Sequence, residues 1–391
     1  MTRIVQVANF VSPTSGGIRT TLDRLRSGYA DAGHHPVLVI PGDSANVEQT
    51  ENGVVVRVAA PLIPRSGGYR MIVDIASVQR VLEDLQPDRI EVSDRFTLRT
   101  VGDWAARNGV ASIAVVHERL DRLAGMHLPW LLRPAHRVRQ DNRAVARRFD
   151  TVVSPSRWAA EEFTRAGVDN VRVVSWGVDH ERFHPDRRSA VLRRRLLGRQ
   201  QVLLAMVCRL SPEKRPESAI AALSALRARE VDARLVVAGT GQMDRQLRRA
   251  ARDLPLTFLG HLHGRDHFAE VLAAADVAIC PGPIETFGLA ALEAMASGTP
   301  VVSARSGAIA ELLAPPFGVA TYNHGPAMAS AIQQLLAGGS AARAAARAEA
   351  ERYPWSAAID AMLHLHGLDA VPRAPAPADP RAGSRPDPDR V

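Results

Sequence analysis

Short aliphatic and β-branched runs alternate with stretches of helical period along the first half of the chain. Residues 4–11, IVQVANFV, form the first run and end at a small-residue loop, SPTSGG at 12–17. Ile18, Leu22 and Leu25 then recur on one helical face. Further runs at 36–40 (PVLVI), 54–59 (VVVRVA), 88–93 (DRIEVS), 111–117 (ASIAVVH) and 150–155 (DTVVSP) predict strands, several of them separated by helical patterns. Alternation of this kind predicts a parallel, doubly wound sheet. The pattern restarts at 201–210 (QVLLAMVCRL). A helix over 211–228 follows, then strands at 233–239 and 276–282, a helix at 289–298 and a strand at 300–304. A second Rossmann-like domain is therefore expected, divided from the first by the polar stretch HERFHPDRRS at 180–189. Two last helices are predicted over 340–353 and 353–367, the second restarting after Pro354.

Composition narrows this picture. At 391 residues the chain exceeds one ordinary core, and 46% hydrophobic residues can fill two. No apolar run approaches the roughly 18–20 residues that span a bilayer. The first residues, MTRIVQVANFV, read as a strand and not as a signal peptide, so the expected compartment is the cytoplasm. Cys208 and Cys280 each lie inside an apolar run, which suits buried, reduced thiols. No His, Cys and carboxylate cluster has metal-like spacing, and no metal is expected. The tail 369–391, rich in Pro, Ala, Arg and Asp, has too little apolar surface to offset ordering entropy and is expected to be disordered. A net charge of +8 favours anionic partners without choosing among them. Nucleic acid is disfavoured, because the Arg residues are spread over both halves with no interleaved aromatics.

The densest chemistry lies at 280–313, CPGPIETFGLAALEAMASGTPVVSARSGAIAELL. A strand runs into a Gly/Pro loop and then into a helix opening near Phe287, Gly288 and Leu289. Free N–H groups and the positive end of the helix dipole suit such a junction to phosphate. Gly288 lets a ligand approach the backbone. Glu285 precedes the helix, and Glu293 follows eight positions later, about 2.2 turns on. It can still border the same cleft, where a carboxylate can accept both ribose hydroxyls.

The string ETFGLAALEAMASGTPVVS resembles the EX7E signature of glycosyltransferase family 4, retaining enzymes with the GT-B fold. The resemblance extends over most of the chain. The segment 12–39 looks like the family's first loop and helix, with Gly16 and Gly17 facing the donor phosphates. Segments 154–163 (SPSRWAAEEF) and 173–185 (VVSWGVDHERFHP) resemble its end-of-domain segments, although Trp176 stands where Asn is usual. RLSPEK at 209–214 looks like the donor-phosphate motif, with Arg209 and Lys214 as its cations, and 236–247 and 258–262 resemble loop regions near the base. His117, at the carboxyl end of a predicted strand, resembles the histidine beside the transferred sugar. The implied architecture is two Rossmann-like domains facing a cleft. Residues 1–183 with a crossover helix at 353–368 would serve the acceptor, and residues 184–352 the donor.

The resemblance also implies a mechanism. Same-face substitution lets the departing diphosphate accept the acceptor's proton, with Arg209 and Lys214 on the phosphates. Glu285 would bind the sugar and Glu293 the ribose, while backbone amides at Phe287, Gly288 and Leu289 touch sugar and phosphate. Neither a metal nor a cofactor is required. Similarity to bacterial mannosyltransferases of the phosphatidylinositol mannosyltransferase type makes GDP-mannose the first expected donor. UDP-glucose or UDP-GlcNAc comes next, and a nucleotide-sugar epimerase is a further alternative that the EX7E string disfavours. The acceptor is expected to be a glycan or a lipid-linked sugar. The basic amphipathic segment 119–149 could rest on the anionic inner face of the cell membrane, or pack its apolar face within the first domain.

Overall fold

The computed structural model describes residues 1–11, 16–64, 66, 68–127 and 135–368; the tail expected to be disordered lies outside them. The β-branched runs become two sheets. The first contains β1 (Arg3–Ala8), β2 (His35–Gly42), β3 (Asn46–Thr50), β4 (Gly53–Ala59), β5 (Arg89–Ser93), β6 (Ala111–Val115), β7 (Thr151–Ser154) and β8 (Val171–Val173). Their order is β3-β4-β2-β1-β5-β6-β7-β8. Every pair is parallel except β3 with β4, a short hairpin at the sheet edge. The second sheet has β9 (Val202–Val207), β10 (Ala233–Ala238), β11 (Leu256–Gly260), β12 (Val277–Cys280), β13 (Val301–Ala304) and β14 (Gly318–Thr321), in the order β11-β10-β9-β12-β13-β14. All its pairs are parallel. Both sheets reverse strand order beside their first strand, and in open α/β sheets that switch point opens the ligand crevice.

The inner strands are buried on both faces, which is why they read as continuous apolar runs and not as alternation. Several boundaries differ from the sequence expectation. The first run stops as a strand at Ala8, because Asn9 turns inward. Its side chain accepts from the Ile72 N–H at 2.8 Å and donates to Asp94 at 2.8 Å. The helix expected over 211–228 begins at Glu217, since Arg215 takes a left-handed φ of 49° after a single 3-10 turn. Residues 258–260, expected within a loop, finish the edge strand β11.

The chain returns to the first sheet at its end. The helix Trp355–Leu365 packs on the helix Gly17–Asp31, and a Cβ at Gly28 would lie 2.3 Å from Ile359. A single apolar core joins the lobes, running from Tyr29 and Val115 through Trp176 and Phe183 to Phe287, Leu292 and Met362. The carboxyl ends of β6, β9 and β12 are thereby held around one cleft.

Candidate active site

Beyond β9, the turn Pro212–Lys214 swings Lys214 back over the cleft. Its Nζ donates to Oε1 of Glu285 at 2.5 Å, so the two strongest sequence candidates meet across 71 residues. Burial pulls the ammonium down, but the Glu285 carboxylate outweighs it and leaves Lys214 raised and charged. Beneath the pair lie the two cysteines. Burial pushes the Cys208 thiol up to about 12 and Cys280 further, so both stay protonated. The Glu285 loop is fixed from the next connection as well: Ala308 N–H donates to the Glu285 carbonyl at 2.8 Å and the Ser306 hydroxyl to the Pro283 carbonyl at 2.5 Å.

Gly288 caps the helix Leu289–Ala296 with φ 96°. A Cβ there would meet Ile309 Cγ1 at 2.3 Å, so space and backbone both demand glycine. The Ala291 and Leu292 N–H groups turn back to the Gly288 carbonyl at 3.0 and 3.2 Å, and those of Leu289 and Ala290 precede the first intrahelical acceptor. Gly17, at the start of the first helix, faces this junction: a Cβ on it would lie 3.6 Å from Leu289, while Gly16 borders open space. Phe287 is buried in the core shared by both lobes.

Glu293 is placed otherwise than its partner acid. It is buried and ion-paired with Arg265, whose guanidinium sits 5.1 Å from the Phe183 ring and 5.5 Å from Phe268. Burial raises its carboxyl, against the pull of Arg265. Arg209 is exposed and reaches the opposite lobe, donating to the Tyr69 hydroxyl at 3.2 Å with its guanidinium 5.5 Å from that ring. It also stands 3.6 Å from Glu213.

His117 follows β6. Its Nε2 is covered and without a protein partner, and burial pushes the imidazole down to about 4, so it is neutral at physiological pH. Its neighbour Glu118 escaped the sequence reading. Burial pushes that carboxyl up to about 7, against Arg95, while Asp94 and Glu162 add to the rise. A neutral histidine with a free ring nitrogen, an ion-paired carboxylate and a helix N-terminus thus surround one cleft, a set suited to holding a polyhydroxylated, anionic ligand. Among the described residues no group of three or more His, Cys, Asp and Glu could hold a metal ion.

Comparison with known proteins fits this geometry. The family described as Glycosyl transferases group 1 matches residues 201–338, and Glycosyl transferase 4-like domain matches 16–178. A GDP-mannose-dependent alpha-(1-6)-phosphatidylinositol dimannoside mannosyltransferase of Mycobacterium tuberculosis is 43% identical over 94% of this chain and 97% of its own. The chain belongs to glycosyltransferase family 4. It is a retaining hexosyltransferase that uses a nucleotide-sugar. A GDP-mannose-dependent alpha-mannosyltransferase of Corynebacterium glutamicum is 28% identical over 80% of this chain and 74% of its own. Sucrose-phosphate synthase from Thermosynechococcus elongatus shares the GT-B fold with TM-score 0.77 at 20% identity, covering 94% of this chain and 98% of that one. So does Anabaena HepE, in complex with UDP and glucose, with TM-score 0.72 at 18% identity over 93% and 98%.

In this glycosyltransferase the structure adds Arg265, Tyr69, Ser156 and Thr286 to the residues around the cleft. Thr286 lies inside the ETFG string, but its partner, the His117 carbonyl, is 169 positions away and leaves no local signal. Arg265 and Tyr69 carry no local signal, since each is defined by a partner far along the chain.

Proposed function

We propose that this enzyme transfers mannose, with retention, from GDP-mannose to a hydroxyl of a phosphatidylinositol-mannoside glycolipid. The observation that carries the reading is the Lys214–Glu285 pair beside the helix N-terminus at Gly288, in a chain 43% identical to a GDP-mannose-dependent enzyme with such an acceptor. Residues 1–183 with 353–368 would serve the acceptor and 184–352 the donor. In the transfer, the C1–O bond to the diphosphate breaks and its electrons pass to the phosphate oxygen. The acceptor oxygen bonds C1 on the same face and gives its proton to that phosphate oxygen. Lys214 and Arg209 stabilise the charge that develops on the leaving group, and the amides at Phe287, Gly288 and Leu289 assist. Glu285 binds sugar hydroxyls and His117 orients the ring with its free Nε2. Glu293 reaches the ribose only by sharing Arg265. Catalysis rests on positioning and electrostatics without a metal.

Among the described residues no helix is long and apolar enough to cross a membrane. The helix Ala135–Ala146 turns Asn142, Val145 and Ala146 inward and exposes Arg137, Arg139 and Arg143. This outer basic face suits peripheral contact with anionic lipid; Trp130, Leu131 and Leu132 lie outside the described residues. Binding to vesicles of phosphatidylglycerol that fades as salt rises supports that contact, and equal binding to phosphatidylcholine removes it.

The direct test incubates the protein with phosphatidylinositol dimannoside and either GDP-mannose or UDP-glucose, with EDTA present. An α-mannosylated lipid from GDP-mannose alone, lost in Glu285→Ala, is the expected result. Transfer from UDP-glucose only, or dependence on added Mg²⁺, overturns the corresponding part of the reading.

A further inference from the structure

The Glu285 loop does more than present a carboxylate, because its next residue is fastened to the other lobe. The Thr286 hydroxyl donates to the carbonyl of His117 at 2.8 Å. The Thr286 carbonyl accepts from the Ser156 hydroxyl at 2.7 Å. His117 follows β6 and Ser156 follows β7, and those strands are paired, with Val115 opposite Val153. The loop from the second sheet is therefore seated on two adjacent strand ends of the first.

The direction of each bond is fixed by chemistry. Both carbonyls can only accept, so both hydroxyls must donate. Ser156 also caps the helix Arg157–Thr164, its oxygen accepting from the Ala159 N–H at 3.0 Å. One lone pair is thus committed to the cap and the single proton to Thr286. The His117 segment is held from its far side too, where the Val116 N–H donates to the Val153 carbonyl at 2.9 Å.

We propose that Ser156 and Thr286 form a neutral latch that closes the two lobes and sets the distance between Glu285 and His117. They are positioning residues. The other side-chain links across the cleft described above run through the long, exposed Arg209, which can swing without losing its charge interaction. Two short hydroxyls bonded to backbone carbonyls have no such freedom. They hold only at one separation, within about 3.5 Å, and weaken steeply off axis. A latch of this kind sits one residue from Glu285 and on the backbone of His117 itself, so releasing it moves the donor-side acid relative to the acceptor-side imidazole. Closed, the cleft also keeps water from the sugar C1. The inference rests on the roles proposed above for Glu285 and His117.

The test uses Thr286→Val, which keeps the shape and removes the hydroxyl, and Thr286→Ser, which restores it. Ser156→Asp keeps an N-cap acceptor but has no proton to donate, and so separates the latch from the cap. With GDP-mannose and phosphatidylinositol dimannoside, Thr286→Val and Ser156→Asp are expected to lower kcat about tenfold or more with donor KM within about twofold. The ratio of GDP-mannose hydrolysis to transfer should rise, and Thr286→Ser should return both to wild-type values. Small-angle scattering of the free proteins gives a readout independent of turnover: both latch variants should show a larger radius of gyration than the wild type. Unchanged kcat, hydrolysis ratio and radius in both variants, beside an inactive Glu285→Ala, overturn the latch alone. Full activity of Glu285→Ala overturns the site reading, and the scattering comparison still decides whether the bonds close the lobes.

Discussion

At the scale of single residues, the site works through pairs whose members change one another. Lys214 is kept charged by Glu285, and Glu285 is oriented by Lys214, so neither acts alone. Lys214→Met and Glu285→Gln should each lower kcat/KM by about 100-fold or more, while the double variant loses far less than the product of the two. Full multiplicativity in that cycle would separate their roles. His117 and Glu118 make a second pair, with opposite linkage. Burial lowers the imidazole from 6.5 to about 4 and raises the carboxyl from 4.5 to about 7. Between about pH 4.5 and 6.5 the folded chain holds the Glu118 proton and not that of His117, while the unfolded chain does the reverse. Their contributions to the pH slope of stability cancel in that window. Removing one member uncovers the other. The stability of His117→Gln should therefore fall as pH rises from 4.5 to 7, where wild type is flat over most of the window. Glu118→Gln should gain stability as pH rises from 4 to 6.5, each by about 1.4 kcal/mol per pH unit at most. Urea midpoints measured across the window check both signs, and parallel curves for all three proteins would show that neither group is perturbed.

Among elements, the junction of β12 with the helix Leu289–Ala296 carries the most information per residue. Gly288→Ala must place a methyl where Ile309 already sits and hold a φ of 96°. Either cost alone is of order 1–3 kcal/mol. A lowered melting temperature together with weakened GDP binding is expected by calorimetry, and a variant that keeps both would mean the loop tolerates a shifted helix start. This junction was legible in the sequence because its signals are local: an apolar strand, a Gly/Pro loop, acids at fixed spacing. The inner strands were legible for the same reason, as β-branched runs buried on both faces. The edge strand β3 was not. Apart from Val47 its residues, Asn46 to Thr50, are polar, the run is almost wholly exposed, and only its pairing with β4 makes it a strand. The three-residue β8 is similarly short and outward-facing. The ion pair between Glu293 and Arg265 and the hydroxyl bonds of Ser156 and Thr286 join residues 28 to 169 positions apart. No periodicity records such pairings: the hydroxyl bonds are created by the docking of two sheets, and the ion pair by the packing of the helix Arg265–Ala274 on the helix Leu289–Ala296.

For the whole molecule, the question is what makes two separately wound sheets behave as one enzyme. The chain's end supplies much of the answer. After the second sheet it crosses back, with the Val178 N–H donating to the Tyr353 carbonyl at 2.9 Å and Gly177 pressed against Trp355. Its last helix then lays Ile359 on Gly28, and His366 reaches the buried Glu91 carboxylate at 2.8 Å, beside Gln6. Gly28 lies inside a helix, where alanine would ordinarily stabilise the chain by about 0.5–1 kcal/mol. Here a Cβ would stand 2.3–2.8 Å from three Ile359 atoms, so crowding outweighs propensity and Gly28→Ala should destabilise. Ile359→Ala should also destabilise, by about 2–4 kcal/mol, because Ile359 is 7% exposed and its loss leaves a cavity between the helices. The double variant removes the clash, fills part of the cavity and recovers the helix propensity of alanine. It should therefore be more stable than the sum of the single effects by about 1 kcal/mol or more. Thermal melts of the four proteins test this coupling, which joins residues 331 positions apart in the numbering. Strict additivity would mean that the crossover helix sits loosely on the first lobe, and the closure of the cleft would then have to be carried by the contacts at its mouth.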